Sequence, residues 1–470
     1  MTPPLNLLSS AALALCLTAP ALAETLMVTN FYPTGPGSLQ EALDAAAASD
    51  ARTVIYITQA DGTITTEVGL RYEGRSPLVI MGNGVTIASD NDVTLLSAIG
   101  PQVLAIIATR FTGPGGFSLA NQGTGETPGK GVFLDVAEDA EGVVSLVLTN
   151  VAVSGVAGHG IHVSDCTLAD DCGSGDGGAG EGSAASIQLE LNRVHISDVG
   201  QGSFDADGLR VDERGPGSID LTGVNLVATG VGADGFELDE GQAGDVIVDL
   251  IRANFIENGS YCDPAVLALF LPALPEGEFE DSGVIIADLP QPAEDTPDMD
   301  CFELEVETIE DGSVEEYEYS IDVDDGFDID EAGPGSIIAT LSIGQMLGNF
   351  DEGYDFDEHG PGDIDVVFTG IIGNGNIDDA IKLSEEGPGS VYVTATAVEA
   401  SSNGGVGIVA EEDDAGDLMM TLISSATAGN DGGDLGVEAV QDGHGEGNVY
   451  VVDSEMADGI ETDGVTLDVD

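Results

Sequence analysis

A 27-residue period constrains this chain more than any other feature. The anchor residues Gly326, Gly353, Ala380 and Gly407 are each 27 apart, as are Gly208 and Gly235. Asp207-Gly208-Leu209-Arg210-Val211-Asp212-Glu213 leads to the corner Gly215-Pro216-Gly217. Asp325-Gly326-Phe327-Asp328-Ile329-Asp330-Glu331 likewise leads to Gly333-Pro334-Gly335. Looser copies stand at Gly131, Gly160, Gly436 and Gly459. In each copy the residues one and three past the anchor are apolar, with a polar residue between them, which is the period-two pattern of a strand with one buried face. Gly-Pro-Gly turns the chain. A second alternating strand follows, as in Ser336 to Leu341, and a third short piece returns to the next anchor. Three short strands in 27 residues make one coil of an all-β solenoid, a parallel β-helix over residues 53–470. Leucine-rich repeats are set aside because their Leu-x-x-Leu-x-Leu pattern is absent.

The period breaks twice. Gly160 and Gly208 are 48 apart, and Gly235 and Gly326 are 91 apart. This predicts corner insertions at about 166–186 and 259–323, where solenoids commonly build binding faces. The first holds Cys166 and Cys172, the second Cys262 and Cys301. Four cysteines allow three pairings; one bridge inside each insertion is the expectation. A zinc site is the alternative, but no histidine stands at ligand spacing.

Residues 1–23 carry no charged side chain, and an apolar stretch ends at Ala21-Leu22-Ala23, the pattern of a secretory signal cut after Ala23. No basic residue precedes the stretch, and Cys16 lacks the small neighbour of a lipoprotein signal. The expected location is secreted, periplasmic or cell-surface. No later run approaches the ~20 apolar residues that span a bilayer. Residues 24–52 read as an N-terminal cap: Ser38 and Glu41 form a capping box opening a helix through Ala48, and Thr53-Val54-Ile55-Tyr56-Ile57 is the first strand.

Gly35-Pro36-Gly37-Ser38-Leu39-Gln40-Glu41-Ala42-Leu43, a small-residue helix and Thr53-Val54-Ile55 resemble the N-terminal cap of secreted bacterial right-handed parallel β-helix proteins of the pectin-lyase-like superfamily. Arg is more usual where Gln40 stands. The resemblance covers most of the mature chain and implies a fold, with a helix over the open apolar end, but no particular activity.

Composition then limits partners. With 86 Asp and Glu against 10 Lys and Arg, the formal charge is −76. Nothing here could neutralise a row of phosphates, so nucleic acid is excluded, and clustered bases for anionic lipid are missing. At 42% apolar, the chain is not a disordered acidic tail.

Stacked coils set equivalent residues about 4.8 Å apart. One expected column is Asp212, Asp239, Asp330, Asp357 and Glu411; beside it runs Glu213, Glu240, Glu331, Glu358 and Glu412. Neighbouring like charges cost about 0.9 kcal/mol per pair even in water. Two readings are open: an acidic face solvated in a salty medium, or Ca²⁺ bridging adjacent rungs. Gly429-Asn430-Asp431-Gly432-Gly433-Asp434 is similar to a single calcium-binding nonapeptide turn; no EF-hand loop is present.

Gly158-His159-Gly160 resembles a motif of polygalacturonase-type hydrolases, and Asp378-Asp379 and Asp205-Ala206-Asp207 resemble their aspartates. The chain order is reversed, however, and the following basic motif is missing. Carboxylates on adjacent rungs, such as Asp328 and Asp355, meet the ~5 Å separation of retaining glycosidases, as any acidic column would. Arg210, Arg214 and Lys382 read as salt-bridge partners of neighbouring rungs. His162, His195, His359 and His444 read as scattered, with no metal cluster. The favoured function is a non-catalytic surface, adhesive or matrix-binding protein, its partner a polysaccharide or cell-surface component. The rival is a carbohydrate-active enzyme, a polysaccharide lyase or polygalacturonase-like hydrolase. The last coil, Gly459-Ile460-Glu461-Thr462, is expected to offer an open edge for self-association.

Overall fold

The computed structural model describes residues 23–124, 127–166, 182–272, 284–309 and 312–470. The segment expected to be a secretory signal lies almost wholly outside them, as do Cys172 and most of the expected first insertion. The fold is the expected right-handed parallel β-helix. Twelve short strands form one parallel sheet, from Leu70–Glu73 through Leu209–Glu213, Phe236–Glu240, Phe327–Glu331 and Tyr354–Glu358 to Ile460–Asp463. A second sheet of twenty strands makes the other walls. A regular coil contains three strands, for instance Phe327–Glu331, Ile337–Ser342 and Gln345–Leu347.

Alternation within each strand turns every second side chain into the tube. Leu209, Val211, Phe236, Leu238, Phe327, Ile329, Tyr354 and Phe356 are buried. Aromatic rings stack both between and within coils: Phe255 lies 5.4 Å from Phe327 of the next coil, and Tyr354 5.8 Å from Phe368 of its own coil, centroid to centroid. At the corners the coils approach closely. A Cβ on Gly362 would lie 1.5 Å from the Gly335 carbonyl oxygen, which is why the corner keeps glycine there.

An interior column of asparagines also follows the period. Asn258, Asn349, Asn376, Asn403 and Asn430 each donate Nδ2–H to the next residue's side-chain oxygen, at 2.8–3.1 Å, and Asp458 receives the last bond. Each is at most 2% exposed. Every amide in the stack thus meets its partner in the adjacent coil.

At the N-terminus, the helix Leu39–Ala47 buries Leu39, Ala42, Leu43 and Ala46 over the first coil. The Glu41 amide donates to Ser38 Oγ (3.2 Å), and Glu41 Oε2 accepts from the Gly37 amide (2.6 Å). Gln40, where the resembled proteins more often have Arg, has a local role. Its Nε2 donates to the Arg71 carbonyl (2.8 Å) and its Oε1 accepts from the Arg71 amide (3.0 Å). It thereby closes the edge of the first short strand.

The second insertion leaves the helix without disturbing it, since Phe236–Glu240 and Phe327–Glu331 pair residue for residue across the gap. It contains an antiparallel hairpin, Phe302–Thr308 with Val314–Ile321, and the expected Cys262–Cys301 bridge. Tyr261, Leu267, Phe302 and both cysteines form a small core of their own. Cys166 is buried; its expected pairing with Cys172 falls outside the described residues.

Candidate cation-binding face

The short-strand sheet places the predicted aspartates in register: Asp212 beside Asp239, Asp239 beside Asp330 and Asp330 beside Asp357. Beside them runs Arg210, Glu237, Asp328, Asp355 and Lys382. Both columns turn away from the apolar interior, yet Asp212, Asp239, Asp330, Glu237 and Asp355 are all less than 9% exposed. The picture of a solvated outer face is therefore corrected for these residues.

The glutamate column needs a larger correction. Glu213, Glu240, Glu331, Glu358 and Glu412 point into the tube, and each is 0% exposed. Each follows an outward acidic residue at a strand end, an aspartate or, before Glu412, Glu411, so strict alternation turns it inward. Its task there is to bind the corner. Gly217 donates its amide to Glu213 Oε1 (3.2 Å), Gly333 to Glu331 (3.1 Å) and Gly360 to Glu358 (3.0 Å). Glu385 extends the column and accepts from Gly387 (2.9 Å) and Gly389 (3.0 Å). One oxygen each of Glu213, Glu240, Glu331, Glu358, Glu385 and Glu412 has no hydrogen-bond donor, and from Glu213 to Glu385 neighbouring carboxyls lie against one another. Carboxyls so placed are satisfied only when protons are shared along the stack. Burial raises Glu213, Glu240, Glu331 and Glu358 to about 8 and Glu385 to about 9. At the next rung Gln441 stands in the same place, its amide donating to Glu412.

A singular polar cluster, unseen in the sequence, lies on the outward face of the irregular coils. Lys130 Nζ meets His162 Nδ1 (2.5 Å), and His162 Nε2 meets Asp212 Oδ2 (2.6 Å). Because Lys130 can only donate, Nδ1 accepts and Nε2–H donates to Asp212. His159 packs on His162 with centroids 4.6 Å apart, and its Nδ1 accepts from the Asp207 amide (3.0 Å). Burial first, then Lys130, lowers both imidazoles to about 3. Arg210 binds Asp212 (2.9 Å), Asp239 (2.5 Å) and Glu237, with Asp205 at 3.4 Å and Asp207 at 3.6 Å. Arg214 adds a bond to Asp239 (2.6 Å). The salt-bridge role expected for these arginines is what the structure shows, and Lys382 likewise lies 2.8 Å from Asp355. Although burial opposes ionisation of Asp212, Arg210 and His162 hold its carboxyl well below the usual range; burial raises Asp207 and Glu237. The sequence carries no signal for this cluster, because Lys130 and His162 sit in the loosest repeats.

Carboxylates converge in threes along this face. Oxygens of Asp205, Asp207 and Glu237 lie within 4.8 Å of one another, as do those of Glu237, Asp239 and Asp330, and of Asp325, Glu352 and Asp355. Asp239 Oδ1, Asp355 Oδ1 and Asp357 Oδ1 are buried without a hydrogen-bond partner. Beside Asp205 opens a groove of about 590 Å³, lined by Phe204, Phe302, Glu303, Asp322 and Asp351 among others. Of the hydrolase-like residues, His159 comes together with Asp207 and Asp205, whereas Asp378 and Asp379 lie on later coils, near Glu352 and Lys382. The calcium-like segment at Gly429 forms a tight turn at Asp431–Gly433, its Asn430 engaged in the asparagine column.

No family model and no curated protein matches this chain. Among solved structures it is similar to a GH136 lacto-N-biosidase from Eubacterium ramulus, at 9% identity and a TM-score of 0.42, over 95% of this chain and 68% of that one. A likeness this slight carries no argument about activity.

Proposed function

We propose that this protein is an exported, non-catalytic β-helix that binds Ca²⁺ along its outward aspartate column and presents the surrounding face to a polysaccharide or cell-surface component. The observation that supports it is the set of buried carboxylate oxygens without partners, Asp239 Oδ1, Asp355 Oδ1 and Asp357 Oδ1, on two coils that flank the Asp330 coil. Unpaired buried carboxylate is costly, and a hard cation with oxygen ligands removes that cost. Asp212, whose oxygens are engaged by His162 and Arg210, contributes less, as do the inward glutamates, which burial holds protonated inside the tube. A disulfide in the second insertion fits an oxidising compartment, and among the described residues no helix is long and apolar enough to cross a membrane. Millimolar Ca²⁺ is expected to raise the melting temperature beyond a control of equal ionic strength, and the double variant Asp239→Asn, Asp357→Asn to lose most of that rise. Saturation at one hundred times Kd corresponds to about 2.7 kcal/mol per site. Identical melts in Ca²⁺ and in matched NaCl would leave the column a screened acidic face.

A second reading rests on Asp205, Asp207 and Glu237, three carboxyls within 4.8 Å of one another, next in the chain to Phe204 of the groove lining. Burial raises all three, while the neighbouring Asp212 is held down by Arg210 and His162; carboxyls pushed apart in this way are the arrangement of acid–base pairs in carbohydrate-active enzymes. The non-catalytic reading expects no new reducing ends or unsaturated products from a panel of neutral and uronic polysaccharides with Ca²⁺ present. Depolymerisation that disappears in Glu237→Gln would establish the enzyme instead.

A further inference from the structure

The corner position after each inward glutamate carries Arg214, Gly241, Ala332, His359 and Glu386 in successive coils. Only one of these is an imidazole. Asp330, Asp357 and His359 each bring one donor atom to a common point, all within 4.8 Å of one another. The two ring nitrogens of His359 have different surroundings. Nδ1 lies 3.2 Å from Glu386 Oε2, a hydrogen bond in which the ring N–H donates. Nε2 faces Asp330 Oδ1 at 3.8 Å, beyond hydrogen-bond length. Asp330 is 7% exposed, and Asp357 Oδ1 is buried with no partner.

A ring nitrogen facing carboxylates, with the other ring nitrogen fixed by a further carboxylate, is how proteins orient a histidine toward a metal. Around a tetrahedral ion with bonds of about 2.1 Å, donor atoms stand roughly 3.4 Å apart, so the His359–Asp330 gap closes by a few tenths of an ångström. Ala332, one coil earlier at the same corner, leaves the approach uncrowded. We propose that Asp330, Asp357 and His359 form a binding site for a borderline first-row divalent cation of the Zn²⁺ class, with Glu386 positioning the imidazole. Three protein donors leave a coordination position open to water or a ligand atom. Calcium is disfavoured at this point, since it selects oxygen alone. The site goes beyond the calcium reading and stands without it.

The test uses the full chain, stripped with chelator and titrated with Zn²⁺ by calorimetry in excess Ca²⁺, with Co²⁺ as a spectroscopic probe. One equivalent of Zn²⁺ is expected, with a visible ligand-field band for Co²⁺. His359→Gln is expected to weaken Zn²⁺ by roughly 100-fold and remove the band, while leaving the Ca²⁺ response intact; Glu386→Gln is expected to weaken it by roughly 10-fold. His359→Asn, which leaves the aspartate column untouched, serves as the second variant should His359→Gln fold poorly. Zn²⁺ binding that is non-stoichiometric, or equal in wild type and His359→Gln, overturns the site. Loss of the Ca²⁺ response with Zn²⁺ binding retained would overturn the calcium reading alone.

Discussion

Raising the pH from about 5 to 8 is expected to lower the melting temperature of this protein, by roughly 5 °C or more. The cause is the inward glutamate column. Glu213, Glu240, Glu331 and Glu358 titrate near 8 when folded and Glu385 near 9, whereas in the unfolded chain they ionise near 4.3. Below about 4 both states are protonated and the column favours neither. Between the two values the unfolded chain has released protons that the folded stack keeps, so stability falls as pH rises. Each such proton costs about 1 kcal/mol per pH unit. His159 and His162 act in the opposite sense, since their folded values near 3 weaken the protein as pH falls below about 6.5. The carboxyls outnumber them. The check is a series of thermal melts at constant ionic strength, with the double variant Glu331→Gln, Glu358→Gln alongside. Gln441 shows that an amide fits this column, so the variant is expected to flatten the alkaline loss. Melts that stay level or rise between pH 5 and 8 would refute the proton-sharing stack.

Arg210→Ala is expected to destabilise the protein by about 3–5 kcal/mol at pH 8, the cost of breaking a buried charge pair by removing one partner. Arg210 is 4% exposed and lies within salt-bridge distance of Asp205, Asp207, Asp212, Glu237 and Asp239. Its removal leaves Arg214, Lys130 and His162 to face that charge. The loss should shrink at pH 5, because Asp207 and Glu237 are already raised and can take up protons. Denaturant unfolding at both pH values measures the difference. Hydrogen exchange should show the opening centred on Leu209–Glu213 and Phe236–Glu240. A variant within 1 kcal/mol of wild type at pH 8 would mean that the cluster is open to solvent.

The coil period, the helix over the first rung, the second corner insertion with its Cys262–Cys301 bridge and the outward aspartate register could all be read from sequence, because each depends on local alternation or on counting to 27. The facing of Glu213 and its equivalents could have been read as well. They sit two positions past a buried residue such as Val211, but a charged side chain suggested solvent, and tertiary hydrogen bonding overrode that preference. The asparagine column had a plain signal, Asn349, Asn376, Asn403 and Asn430 at intervals of 27. The Lys130–His162–Asp212 contacts had none. They join residues 32 and 50 positions apart across an interrupted period, so no spacing rule could bring them together.

Because every internal column closes on its neighbour at the same height, this rod has no preferred length. If residues 353–379 were cut out, Glu331 would meet Glu385, Asn349 would meet Asn403, and Lys382, losing Asp355, would face Asp328 in its place. The C-terminal half can therefore be shortened or extended by whole turns, as a stack of coins can, whereas the turns bearing Lys130, His162 and Arg210 cannot be exchanged.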